Sequence, residues 1–148
     1  MKHLIRFGFR FAVAAVSVTF AAAAWAQSID VYKLDSCDCC AKWVAHLRSN
    51  GFTPVVHEVK DLDPIKQKLG VPKELTACHT AMIDGYVMEG HVPADLIHKF
   101  LKEHPRNARG LAVPGMPAGS PGMEGVHQID YEVLLVKQDG SYATYAKR

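Results

Sequence analysis

Hydrophobic spacing changes character several times along this chain, and each change predicts a different element. A largely apolar run over residues 11–24 follows a basic start. Next, Ile29, Val31 and Leu34 set against Asp30, Tyr32 and Lys33 predict a strand, while Trp43, Val44 and Leu47 have the spacing of one helix face. That helix should stop at Ser49-Asn50-Gly51, because glycine takes up a left-handed cap without steric penalty. Residues 53–59 read as a second strand, with Val55, His57 and Val59 on one face and Val56 and Glu58 on the other. Residues 61–69 read as a short helix that tolerates Pro64 in its first turn and closes at Gly70.

Further on, residues 80–83 and 86–89 flank Asp84-Gly85, one of the strongest two-residue hairpin signals. An amphipathic helix should begin at Pro93, with Leu96, Ile97, Phe100 and Leu101 as its apolar face. Asp95 near its start and Lys102 and His104 near its end suit the helix dipole. Residues 105–125 are rich in Gly, Pro and Ala and predict a long loop, a feature that in a compact domain is functional or disordered. Residues 131–136 and 142–146 around Asp139-Gly140 predict a second hairpin. The expected class is therefore α/β in the thioredoxin-like arrangement: a mixed β-sheet flanked by helices, with an extra C-terminal β-hairpin.

Charge alters this picture only at the amino terminus. Lys2, Arg6 and Arg10 precede the apolar run, which ends in Ala24-Trp25-Ala26, the small-residue pattern of a signal-peptide cleavage site. The run is shorter than the ~20 residues a spanning helix needs, so no stable membrane anchor is expected. Residues 1–26 read as a signal peptide and residues 27–148 as one exported domain, with the periplasm as its destination. Without the three signal residues, 17 basic side chains become 14 against 15 acidic ones, so the formal charge moves from +2 to −1. No basic stripe remains, which argues against a nucleic-acid partner and for small ligands or ions.

The chemistry is concentrated in the four cysteines. Cys37, Cys39 and Cys40 sit at the predicted turn from first strand to first helix, and Cys78 precedes His79. A helix start favours thiolate, the form that attacks disulfides and binds soft metals. The Cys37 to Cys40 spacing is C-x-x-C after the first strand, where thioredoxin-like proteins carry a redox pair. The stretch from His79 to Gly85 resembles the glutaredoxin segment that runs from its cis-proline through an apolar strand to Asp-Gly. On that comparison His79 replaces the proline, and Cys78 and His79 should meet the cysteine run in space.

The chain also resembles the CopG-type periplasmic copper-resistance proteins, a thioredoxin-like group. The resemblance rests on the C-x-C-C run, the Cys78-His79 pair, residues 84–93 and the Gly115 to Met123 loop. It implies copper bound through cysteines as a multinuclear cluster, a part in copper tolerance alongside other periplasmic copper-handling proteins, and interconversion of Cu(I) and Cu(II). The residues support copper on their own terms, since soft thiolates select Cu(I) and a crowded run plus one distant cysteine is a poor pair of zinc knuckles. The expected metal ligands are Cys37, Cys39, Cys40 and Cys78, with His79, Met116 and Met123 as further donors; the two methionines flank a loop expected to lie over the site as a lid.

Two other readings stay open. Cys37 and Cys40 alone would serve a thiol-disulfide oxidoreductase, and structural disulfides would make a metal-free binding module. His91 is read as a surface or capping residue, Asp35 and Asp38 as caps of the helix start or as groups that repel anions, Met82 and Met88 as core, and His46, His57, His98 and His104 as structural or solvated. No acid–base carboxylate pair, nucleophile elbow or phosphate loop is found, so hydrolytic and nucleotide chemistry are not expected.

Overall fold

A computed structural model describes residues 27–125 and 127–148. The segment read as an export signal lies outside the described residues. The elements are β1 (Gln27–Leu34), α1 (Asp38–Ser49), β2 (Phe52–Val59), α2 (Asp63–Leu69), a 3-10 turn (Lys73–Leu75), β3 (His79–Ile83), β4 (Tyr86–Gly90), α3 (Ala94–Glu103), β5 (Ala108–Val113), β6 (Glu132–Lys137) and β7 (Tyr142–Lys147). Among the described residues the strands form one seven-stranded mixed sheet in the order β2-β1-β3-β4-β5-β6-β7. β1 pairs parallel with β2 and β4 with β5, while the other neighbours are antiparallel. The parallel β1-α1-β2 unit supplies the crossover that such pairing requires.

Register divides the sheet into two chemically different faces. Val31, Ala81, Met88 and Leu111 are successive cross-strand partners on one face. Trp43, Val44 and Leu47 of α1 and Leu96, Ile97 and Phe100 of α3 join them in the main core. The other face carries the row Tyr32, Thr80, Glu89, Ala112 and Leu134. There Leu75 of the 3-10 turn packs with Ala112 and Val136, and Lys66 of α2 reaches Glu89. Asp84 (φ 49°) and Gly85 (φ 81°) both occupy the left-handed region, as a two-residue hairpin demands.

Three expectations are corrected. Residues 105–125 are not loop throughout: Ala108–Val113 is an inner strand. Its pattern lacked polar alternation because it is covered on both faces, the usual state of a parallel pair. Gly110 is required there, since a Cβ would lie 1.7 Å from the Val87 carbonyl oxygen. In β1, Lys33 rather than Leu34 is buried, at 6 % against 36 % exposure. Strict alternation puts Lys33 on the face of Ile29 and Val31, and its amine donates to the carbonyls of Leu34 and Asp35 and meets Glu58 at 3.2 Å. Finally, α1 is capped by Cys37, whose sulfur accepts from the Cys40 amide, and Asp35 instead accepts from the Ser36 amide.

Candidate metal centre

The cysteine turn and the Cys78-His79 pair meet because β1 and β3 are adjacent. Lys33, near the end of β1, pairs with His79 at the start of β3, so the cysteine turn after β1 and Cys78 just before β3 lie at one edge of the sheet. Cys37 and Cys40 are joined by a disulfide, while Cys39 and Cys78 are free thiols. Cys39 Sγ lies 3.5 Å from Cys37 Sγ and 3.9 Å from Cys78 Sγ. Cys40 Sγ lies 3.6 Å from the Cys78 carbonyl oxygen. The four sulfurs all fall within 4.8 Å of one another. Burial, together with the neighbouring Cys39, pushes the Cys78 thiol up to about 12. A bound cation must therefore displace its proton.

Two imidazoles complete the cluster. His79 Nδ1 is 3.4 Å and His91 Nε2 3.1 Å from Cys78 Sγ, and both rings are fully buried. Burial, with His91 beside it, holds His79 well below the usual histidine range, and burial lowers His91 as well. His79 lies under the Trp43 ring, 4.3 Å between centroids, and its Nε2 has no hydrogen-bond partner. No cis peptide bond occurs among the described residues, so His79 sits at the start of β3 with an ordinary trans backbone.

His91 corrects the sequence reading, which made it a surface or capping residue. The signal was present in the hairpin. A two-residue turn at Asp84-Gly85 pairs Thr80 with Glu89, and extending that register two residues sets Cys78 opposite His91.

The loop after β5 also reaches the site. The Pro121 carbonyl lies 2.7 Å from His91 Nδ1. A Cβ on Gly122 would come within 2.7 Å of the Cys39 carbonyl oxygen and 2.9 Å of the Trp43 amide. Backbone is thus laid directly on the first turn of α1. Ser120 pins the loop by donating to the Pro117 carbonyl at 2.7 Å. Met116 is 40 % exposed with φ 50°, and Met123 is half-buried. Met88 is core, as expected, whereas Met82 is only half-buried.

Two solved structures titled copper resistance protein CopG, forms 1 and 2, each align with 42 % identity and a TM-score of 0.78. Each match covers 83 % of this chain and 98 % of the solved one. The chain belongs to the CopG copper-resistance family. A family model described as a protein of unknown function, DUF411, matches residues 75–123, which hold Cys78, His79, His91 and the Met116 to Met123 loop. No curated protein sequence matches. The family model therefore covers only the second half of the sulfur cluster.

His46, His57, His98 and His104 have structural partners, as expected. His46 Nε2 accepts from the Ala94 amide and ties α1 to the start of α3. His57 bonds Asp30 at 2.7 Å and stacks on Tyr32. His98 stacks on Phe52, and His104 is the left-handed C-cap of α3. No helix among the described residues is long and apolar enough to cross a membrane.

Proposed function

We propose that this protein binds copper ions as its cargo in copper tolerance. Cys37, Cys39, Cys40 and Cys78 are the principal ligands, able to share thiolates among several Cu(I) ions, with His79, Met116 and Met123 as additional donors. The observation that carries this reading is the meeting of four sulfurs within 4.8 Å in a chain 42 % identical to proteins titled copper resistance proteins. Soft sulfur donors select Cu(I), and adjacent imidazoles accommodate Cu(II). The disposition of β1-α1-β2, β3-β4 and α3 supports a thioredoxin-like framework with the β6-β7 hairpin added. Work in the periplasm, among other copper-handling proteins, is inferred from the export signal read in residues 1–26.

The finer part of the proposal is interconversion of copper oxidation states. Cys37 and Cys40 form a two-electron couple. Closing their disulfide releases two electrons, enough to reduce two Cu(II) to two Cu(I), and opening it consumes two. The same disulfide is the observation that favours a second reading, a thiol-disulfide oxidoreductase that needs only Cys37 and Cys40.

An anaerobic Cu(I) titration of the reduced protein against a competing chelator separates the two, with free thiols counted in parallel. Uptake of more than one copper per chain, with all four thiols protected and the stoichiometry reduced in Cys39→Ser and Cys78→Ser, is expected. Weak uptake combined with rapid exchange of Cys37 and Cys40 with disulfide substrates in both variants would leave the oxidoreductase reading standing instead.

A further inference from the structure

With the Cys37–Cys40 disulfide closed, two of the four sulfurs are no longer thiolate donors, and the site changes composition. Cys78 then remains beside two fully buried imidazoles, its sulfur 3.1 Å from His91 Nε2 and 3.4 Å from His79 Nδ1. The state of His91 is set by its other nitrogen. A carbonyl oxygen only accepts, so the 2.7 Å contact with Pro121 requires the proton on Nδ1 and leaves the Nε2 lone pair bare, directed at Cys78. A backbone carbonyl that holds one ring nitrogen while the other faces a donor cluster is the usual support of a metal-ligating histidine. His79 presents Nδ1 to the same sulfur at 3.4 Å from a ring with no solvent exposure, and a metal held by that nitrogen leaves the ring proton on Nε2, toward the Gly90 backbone.

We propose that, in the disulfide state, Cys78, His79 and His91 form a mononuclear site for Cu(II), with one sulfur and two imidazole nitrogens as donors. These three residues form a donor group of their own, with ligand atoms within 4.8 Å of one another. One cysteine with two histidines is a donor combination suited to Cu(II), whereas the four-sulfur set suits Cu(I). Cys78 belongs to both sets, so the disulfide decides which one exists. An external dithiol opens the bond by thiol–disulfide exchange: the dithiol becomes a disulfide, its two protons pass to Cys37 and Cys40, and two soft donors return. Copper valence preference is thereby coupled to the protein's own thiol state. The inference rests on the copper reading above.

The test uses the oxidised protein carrying Cys39→Ser, in which Cys78 is the sole thiol and no second intramolecular disulfide competes. Co(II) serves as a probe that does not oxidise thiols. One Co(II) per chain is expected, with a thiolate-to-metal charge-transfer band and the strong visible bands of low coordination number. His91→Ala should weaken binding by more than the roughly 10–100-fold loss typical of a supporting residue. Cys78→Ser, a one-atom change, should abolish the charge-transfer band, and it keeps the test decisive should His91→Ala fail to fold. Binding without that band, or unchanged binding in His91→Ala, would overturn the inference. Uptake of several Cu(I) by the reduced wild type, with no Co(II) site in the oxidised protein, would sink this inference and leave the proposed function intact. Failure of both titrations would sink both.

Discussion

Removing the Lys66 ammonium should be among the most damaging single changes outside the sulfur cluster. Lys66 Nζ lies 2.5 Å from Glu89 Oε1, with side-chain exposures of 7 % and 2 %. Thr80 ties the pair together, accepting from Lys66 at 2.8 Å and donating to the second Glu89 oxygen at 2.6 Å. Glu89 also accepts from the amide of Ala77, the residue before Cys78, so the network anchors the approach to the site. At that separation, unit charges in an effective dielectric of about 20 attract by about 7 kcal/mol, most of it offset by desolvation. In Lys66→Met the carboxylate stays buried without its cation, and a loss of about 3–5 kcal/mol is expected.

The pH dependence supplies a second handle on the same pair. Burial already raises the Glu89 carboxyl, with Lys66 acting in the opposite direction. Without Lys66 the folded value moves further above the unfolded one. Such a carboxyl favours the fold while protonated, and that contribution is lost as pH rises through the folded value. The deficit of Lys66→Met relative to wild type should therefore shrink as pH falls from 7 toward 5. Urea denaturation at several pH values measures it, and Lys66→Met/Glu89→Leu should recover much of the loss. A deficit below about 1 kcal/mol that does not change with pH would refute the reasoning, because it would mean that the charge is not confined as the geometry requires.

Two further outcomes are expected at the site. His79 has its folded value depressed well below the ordinary 6.5, so the unfolded chain takes up the proton first on acidification. Its contribution is complete above about pH 6.5 and is lost as pH falls toward the folded value. Metal-free protein should lose about 1.2 kcal/mol from this ring between pH 7 and 5.5, and His79→Phe should flatten that part of the urea-midpoint profile; a slope equal to wild type would contradict the assignment. Gly122→Ala combines φ 89° with a Cβ 2.7 Å from the Cys39 carbonyl oxygen. A loss of about 2 kcal/mol or more is expected in thermal melts, with increased solvent access at His91, and an unchanged melting temperature would show that the loop is not seated on α1.

The sequence by itself determined the elements whose signals are local. The Asp84-Gly85 turn, the Pro93 start of α3, the Gly70 cap and the placement of the cysteine run on the first turn of α1 each depend on residues within a few positions. Each appears where the pattern predicts. Lys33 and Leu34 exchanged burial because pleating overrides side-chain polarity near a strand end, where a long amine can turn back to carbonyls. β5 was hidden because a strand covered on both faces loses the alternation by which strands are recognised.

The meeting of Cys78 and His79 with the cysteine run was expected from the sequence, and the adjacency of β1 and β3 achieves it across 39 residues. Tertiary structure alone decided how the site is completed. It put the Pro121 carbonyl on His91, which sets which nitrogen is bare, and buried Glu89 against Lys66 beneath the approach to Cys78. The sequence specifies which donors exist. Hairpin spacing sets Cys78 opposite His91, but in what protonation state and with what further partners these donors stand depends on long-range packing that spacing does not encode.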